Sequence, residues 1–180
     1  LKTVFTHDTE IALVAAAALV NTVDGDEDLL PDMAALDDFV HDWAYSGTRK
    51  HDATELREVQ ELRPRLREVW TRDEDGVVQI VNELLCSANA LPQLIKHDQW
   101  DYHLHATPPN APLATRMAVE AAMALADVVR SKELSRLQVC DYPTCDNVFV
   151  DLSKNRSKRF CDNVCANRAA VAAYRARNAK

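Results

Sequence analysis

Glycine is almost missing from this chain, with three among 180 residues. So little glycine argues against a Gly-rich phosphate loop, a collagen-like repeat or a turn-dense β-sandwich. None of the strings GxxxxGK(S/T), HExxH, GxSxG or GxGxxG occurs. No hydrophobic run is long. The longest, Ile11 to Val20, is too short to span a bilayer, and no basic segment precedes it. We therefore expect a soluble cytoplasmic protein that does not engage a membrane. The first residue is Leu rather than Met, so we expect residues to precede it in the full-length protein. What is present is an apolar fraction of 47%, that of a folded globule, which excludes wholesale disorder. The length suits one ordinary domain, or a bundle with a small appendage.

The net charge of −7 argues against an indiscriminate nucleic-acid coat, but it is unevenly spread. Residues 1–129 carry 10 basic and 23 acidic residues, a balance of −13, whereas residues 130–180 carry 11 and 5, a balance of +6. Such asymmetry predicts two units with different partners, the second one seeking an anion. The cysteines divide in the same way. Cys86 stands alone, while Cys140, Cys145, Cys161 and Cys165 fall within 26 residues.

The acidic part reads as mainly helical. Asp8 or Thr9 can cap a helix through Ile11, Val14, Ala15, Ala18, Leu19 and Thr22, apolar nearly all round and so central to a core. From Pro31, the stripe Leu36, Phe39, Val40 and Trp43 predicts a second helix ended by Ser46-Gly47. Asp52-Ala53-Thr54-Glu55 is a capping-box variant opening a third, in which Pro64 should produce a kink or a break. A short helix follows Asp75-Gly76, and the Ala-rich stretch from Asn110 and Pro112 to Arg130 predicts the longest.

Between them, Gln93 to Lys96 and Trp100 to Ala106 read as two short strands joined by His97-Asp98-Gln99. In the second, Trp100, Tyr102 and Leu104 alternate with Asp101, His103 and His105. Two histidines at i, i+2 could hold a ligand, but with no third ligand in view a solvated strand face is the expectation. Cys86 is expected to be a small core residue rather than a nucleophile.

The four clustered cysteines are spaced C-x4-C-x15-C-x3-C. Two close pairs of thiolates across a mid-length insert match a closed tetrahedral Zn²⁺ site. Two disulfides or an iron–sulfur cluster compete. A cytoplasmic setting disfavours the first, and the basic insert suits zinc better than the second. Four cysteine ligands leave no open position, so one structural zinc per chain is expected. The insert offers strands over Val148 to Asp151 and Lys158 to Phe160, with a turn over Leu152 to Ser157. Cys161 then opens a helix with Cys165 one turn on. Knuckle, hairpin and helix in that order form a treble-clef-like finger. The fold expected is thus mainly α: a helical bundle over 1–135 with a small β-hairpin, and a four-cysteine finger over 136–180. The bundle carries all three tryptophans, and a piece ending near Leu137 is expected to fold alone.

Cys140 to Cys165 followed by Ala166-Asn167-Arg168 resembles the CGNR-type zinc finger of bacterial proteins that carry an ABATE domain. The run from Phe149-Val150-Asp151 through Ser153, Asn155, Arg156 and Arg159 to Phe160 is similar to that family's hairpin. Ala170 to Arg177 resembles its basic helix. Upstream, Ala18-Leu19-Val20-Asn21-Thr22 and Ala111 through Val129 resemble its helical bundle. Ala166 stands where the family motif has Gly, a change a helix accepts readily. The family is regarded as stress-induced transcription regulators. The resemblance therefore implies a bacterial DNA-binding regulator, its bundle a homodimerising domain or the sensor of a small-molecule effector.

Lys154, Arg156, Lys158 and Arg159 in the insert, with Arg168, Arg175, Arg177 and Lys180 beyond it, form the strongest positive patch. Phosphate contact is the expected role of the insert and of the final turns, while Arg168 could equally offset the negative charge of a four-thiolate zinc site. Asn155 is expected to serve the turn, and Phe149 and Phe160 to pack beside the metal. The alternative is a protein-interaction module in which the finger docks on an acidic partner. An enzyme is not expected: treble-clef nucleases place a catalytic His at the hairpin and helix, and residues 136–180 contain none.

Overall fold

The computed structural model describes residues 4–97 and 100–178. Among them, helix α1 spans His7–Val20 and is followed by a two-residue hairpin, β1 (Val23–Asp24) with β2 (Glu27–Asp28). Helices α2 (Met33–Asp42), α3 (Ala53–Arg67) and α4 (Glu74–Ser87) come next, a single 3₁₀ turn at Glu68–Trp70 lying between α3 and α4. Strands β3 (Gln93–His97) and β4 (Trp100–His105) form an antiparallel hairpin. Helix α5 (Leu113–Arg130) leads through a 3₁₀ turn at Leu134–Arg136 into β5 (Leu137–Val139), β6 (Val148–Val150) and α6 (Asn163–Asn178). The mainly helical class with a small hairpin and a cysteine-rich end is as expected. Of the expected turn, Asp98 and Gln99 lie outside the described residues, as does Lys180.

Helix starts follow local chemistry. Asp32, Asp52 and Asp73 each accept an N–H three residues on, from Ala35, Glu55 and Gly76 at 3.0, 2.8 and 2.9 Å. Helix α1 begins earlier than Asp8 or Thr9 would set it. Its cap residue is Thr6, because the Glu10 carboxylate reaches back to the N–H groups of Val4 and Phe5. Helix α3 runs unbroken through Pro64. Proline there removes the N–H that the Gln60 carbonyl would have received, and Arg63 Nε donates to that carbonyl instead, at 3.3 Å. Arg63 also forms a two-pronged pair with Asp28, at 2.6 and 2.8 Å, which ties the β1–β2 hairpin to α3.

Helix α5 packs against α1, α3 and α4, and its Met117, Leu125 and Val128 are fully enclosed. The same core continues into the C-terminal part. Leu137, Val148 and Val150 belong to it, and β6 lies against α1. Trp70 Nε1 donates to the Phe149 carbonyl at 3.0 Å. The sequence boundary between Arg130 and Val139 therefore separates two compositions, but the packing crosses it.

Two expectations about single elements are corrected. The partner of β6 is β5, with Val139 opposite Val148 and Leu137 opposite Val150, and Lys158 to Phe160 is not a strand. Leu137 and Val139 are apolar positions beside a buried strand, whereas Lys158 and Arg159 carry charges that stay in water. Cys86 is exposed rather than in the core, since α4 turns Val77, Ile80 and Val81 inward instead.

Candidate metal centre

The first cysteine pair sits in the loop that closes the β5–β6 hairpin. The Cys140 N–H donates to the Asn147 carbonyl at 2.8 Å and the Cys145 N–H to that of Tyr142 at 2.9 Å, which curls the loop back on itself. The second pair comes from the start of α6. Asp162 rather than Cys161 is the helix cap, its Oδ1 accepting the Cys165 N–H at 2.7 Å. Cys161 thus stands just outside the helix and Cys165 within its first turn. The two halves are joined by the Asp141 N–H donating to the Arg159 carbonyl at 2.9 Å.

All four sulfurs lie within 4.8 Å of one another, and all four cysteines are free of disulfides. Cys161 Sγ is 3.8 Å from the sulfurs of both Cys145 and Cys165. A tetrahedral zinc with Zn–S near 2.3 Å places its ligands about 3.8 Å apart. The chemistry agrees. Burial, then the neighbouring sulfurs, push the Cys161 thiol up to about 11 and raise Cys165 as well. Burial also works against ionising Cys140, but the N–H groups of Cys161 and Tyr142 outweigh it and lower that thiol. Four thiolates so close together need a cation, and a divalent one supplies it. The four cysteines hold one structural zinc.

The basic residues separate into two groups. Around the insert, Arg156 pairs with Glu133 at 2.7 Å and Arg159 with Asp141 at 2.8 Å. Lys158 lies over the Phe149 ring, its Nζ 4.9 Å from the centroid, and Lys154 is exposed, with no ion pair among the described residues. On α6, Arg168, Arg175 and Arg177 are all exposed. None of the three is in an ion pair among the described residues. Cys165 is the one buried residue of the helix, which leaves Val164, Val171 and Tyr174 in water.

The insert is shaped by a residue whose role the sequence did not disclose. Asp151 is 2% exposed and accepts the N–H groups of Ser153 and Lys158 at 2.8 and 2.9 Å. Burial would raise its carboxyl, but the Ser153 and Lys158 hydrogen bonds and the Arg136 charge outweigh that and lower it. Arg136, itself buried, donates to the carbonyls of Asp151 and Ser153. An Asp two residues before a Ser in a polar turn was the available signal. Phe149 is buried, and Phe160, next to Cys161 in the chain, is half-buried. Arg156 takes the left-handed conformation of the turn, φ +50°, next to Asn155.

The model of the ABATE domain, described as "Putative stress-induced transcription regulator", matches residues 13–132. The chain belongs to the ABATE family. The model of the CGNR zinc finger matches residues 136–178, directly after the ABATE domain. No curated protein matches the chain. No described helix is long and apolar enough to cross a membrane. The ABATE domain thus coincides with α1 through α5, and the CGNR finger with the hairpin and helix that hold the zinc.

Proposed function

We propose that this ABATE-family protein is a non-catalytic transcription regulator whose zinc-held helix α6 contacts DNA. The observation that carries this reading is the state of the α6 arginines. Arg168, Arg175 and Arg177 project from a helix that is solvent-exposed beyond its zinc anchor and has no neutralising partner among the described residues. The insert cations Arg156 and Arg159 are already matched by Glu133 and Asp141, so their part is to border the interface with Lys154 and Lys158. A groove between the insert and the start of α6, lined by Lys158, Arg159 and Asn163 together with Asp162, lies on the same side as these cations. The bundle, at −13, turns away from the DNA backbone.

In this reading the ABATE domain senses an effector and α1 links it to the finger, with α1's last residues against β6. The competing reading, a finger that docks on an acidic protein, is favoured by the exposed Val171 and Tyr174. Competition separates them. With a labelled duplex bound to the full zinc-loaded chain, unlabelled duplex should displace it and an acidic polypeptide of equal charge should not. Displacement by the polypeptide at equal charge, or no duplex binding at all, would move the docking reading ahead.

A further inference from the structure

A cavity of about 360 Å³ opens in the ABATE domain between the first half of α1, the second half of α5, the segment after α2 and strand β4. Small-molecule sites occupy about 300–1,000 Å³ and combine apolar walls with a few placed polar groups. The apolar part of the walls from α1 and α5 includes Ile11, Ala12, Ala15, Met123 and Ala124. Trp43 and Tyr45, both half-buried, add aromatic surface, with Phe39 packed against each at 6.2 and 6.4 Å between ring centroids.

Strand β4 borders this cavity with polar as well as apolar residues. Tyr102 is 70% exposed and outside the lining, whereas Leu104, 47% exposed, lines the cavity between two histidines. His103 and His105 are half-buried and line the cavity, their Nε2 atoms 2.8 Å apart. The histidine face, expected to be solvated, is half-buried and borders the cavity. Two half-buried imidazoles in an otherwise partly apolar lining are polar groups of the kind that orient a small molecule.

The charge in the lining is mainly negative. Asp8, Glu120 and Asp127 all contribute. Thr9, 5% exposed, donates its hydroxyl to Asp127 Oδ2 at 2.9 Å and so fixes that carboxylate. Arg130 is the one Lys or Arg of the lining, 3.5 Å from Asp127 and with its side chain 81% exposed. Arg116, one turn from Glu120 and close enough for their charges to interact, lies outside the lining and donates to the carbonyls of Thr48 and Pro109.

We propose that this cavity binds a small organic cation with an apolar body, an ammonium ion met by Glu120 and Asp127 and by the rings of Trp43 and Tyr45. Carboxylates supply the counter-charge, and aromatic rings attract a desolvated ammonium without demanding a directed hydrogen bond. The inference rests on the sensing role given to the bundle. Its test, however, is binding to the protein alone, so a chain that takes the cation but not DNA keeps this proposal and loses the DNA reading.

The experiment is calorimetric titration of the full zinc-loaded chain with phenethylammonium and benzyltrimethylammonium, beside phenethyl alcohol and phenylpropanoate as neutral and anionic shapes. The cations should bind about tenfold tighter than the alcohol, and the anion weakest. Glu120→Gln and Asp127→Asn should each weaken the cations several-fold while leaving the alcohol unchanged. Should either variant lose its circular dichroism, Asp8→Asn, in the half-exposed first turn of α1, takes its place. Equal or tighter binding of the alcohol or the anion, or no saturation by either cation at millimolar concentration, overturns the proposal.

Discussion

Asn21, just past the end of α1, holds Val148 by both of its backbone groups. Its Nδ2 donates to the Val148 carbonyl and its Oδ1 accepts the Val148 N–H, each at 2.8 Å. Val148 sits one residue beyond the hydrogen bond from Cys140 to Asn147, so its own groups face away from β5. One side-chain amide thereby does what a neighbouring strand would do, and it fastens the zinc hairpin to the helix that also lines the cavity.

Asn21→Ala leaves the N–H and C=O of Val148, a residue only 1% exposed, without partners. The expected loss is about 2 kcal/mol or more, since each buried group left unpaired costs roughly 1–3 kcal/mol. Asn21→Asp, which keeps the acceptor and loses the donor, should do no better than fall between. Urea unfolding reads the difference. A change within about 0.5 kcal/mol would show that the contact does not hold the two parts together.

The legible parts of this fold were those written in short-range chemistry. The Asp52 cap, the 18-residue α5 and the alternation of β4 are local, and the four cysteines announce their metal by spacing alone. What could not be read depended on partners far along the chain. β5 is a strand because Val148 to Val150 lies beside it, and Lys158 to Phe160 is not one because that place is taken. The alternation of β4 identified two faces but not that His103 and His105 border a cavity. That depends on a cavity built from α1 and α5. In the sequence Pro64 signals a kink or a break, whereas the compensating donor, Arg63, becomes visible only in the folded helix.

Removal of zinc should release α6. Its one buried residue is Cys165, so once the metal leaves, little holds the helix, and a helix of 16 residues is marginal alone in water. Elemental analysis should find one zinc per chain. Chelation should lower helicity by about the share of α6, with the bundle helices remaining. A chain without zinc, or one whose helicity a strong chelator leaves unchanged, would contradict the site.

Acid should weaken the protein through two carboxylates. The hydrogen bonds from Arg63 hold Asp28 below the usual range against the effect of burial, and Asp151 is lowered as described. A carboxyl lowered on folding stabilises the folded state above its unfolded value, near 4, and that stability is lost as pH falls through the folded value. Asp28 has its side chain 40% exposed and contributes less for it. Unfolding midpoints measured from neutral pH down to about 3 should therefore converge for the parent and Asp151→Asn. A gap that stays constant over that range would remove Asp151 from the account.

Gly47→Ala should be costly. Gly47 has φ +99°, and a Cβ there would lie 2.6 Å from the Pro109 carbonyl oxygen and 3.1 Å from the Arg116 guanidinium. Strain and overlap together predict a loss of about 1–3 kcal/mol. Thermal unfolding within a degree or so of the parent would mean that the Arg116 platform can yield.

The most direct test of the zinc-held helix as a DNA contact is the salt dependence of duplex binding. If the α6 arginines and one or two insert cations each neutralise a phosphate, log K should fall against log salt with a slope of about −4. Arg175→Ala with Arg177→Ala should flatten it by roughly two and leave the zinc content unchanged. Arg156→Ala with Arg159→Ala should flatten it less, because Glu133 and Asp141 already match those charges. A double variant of Arg175 and Arg177 that binds duplex as tightly as the parent, with the same slope, would contradict the account.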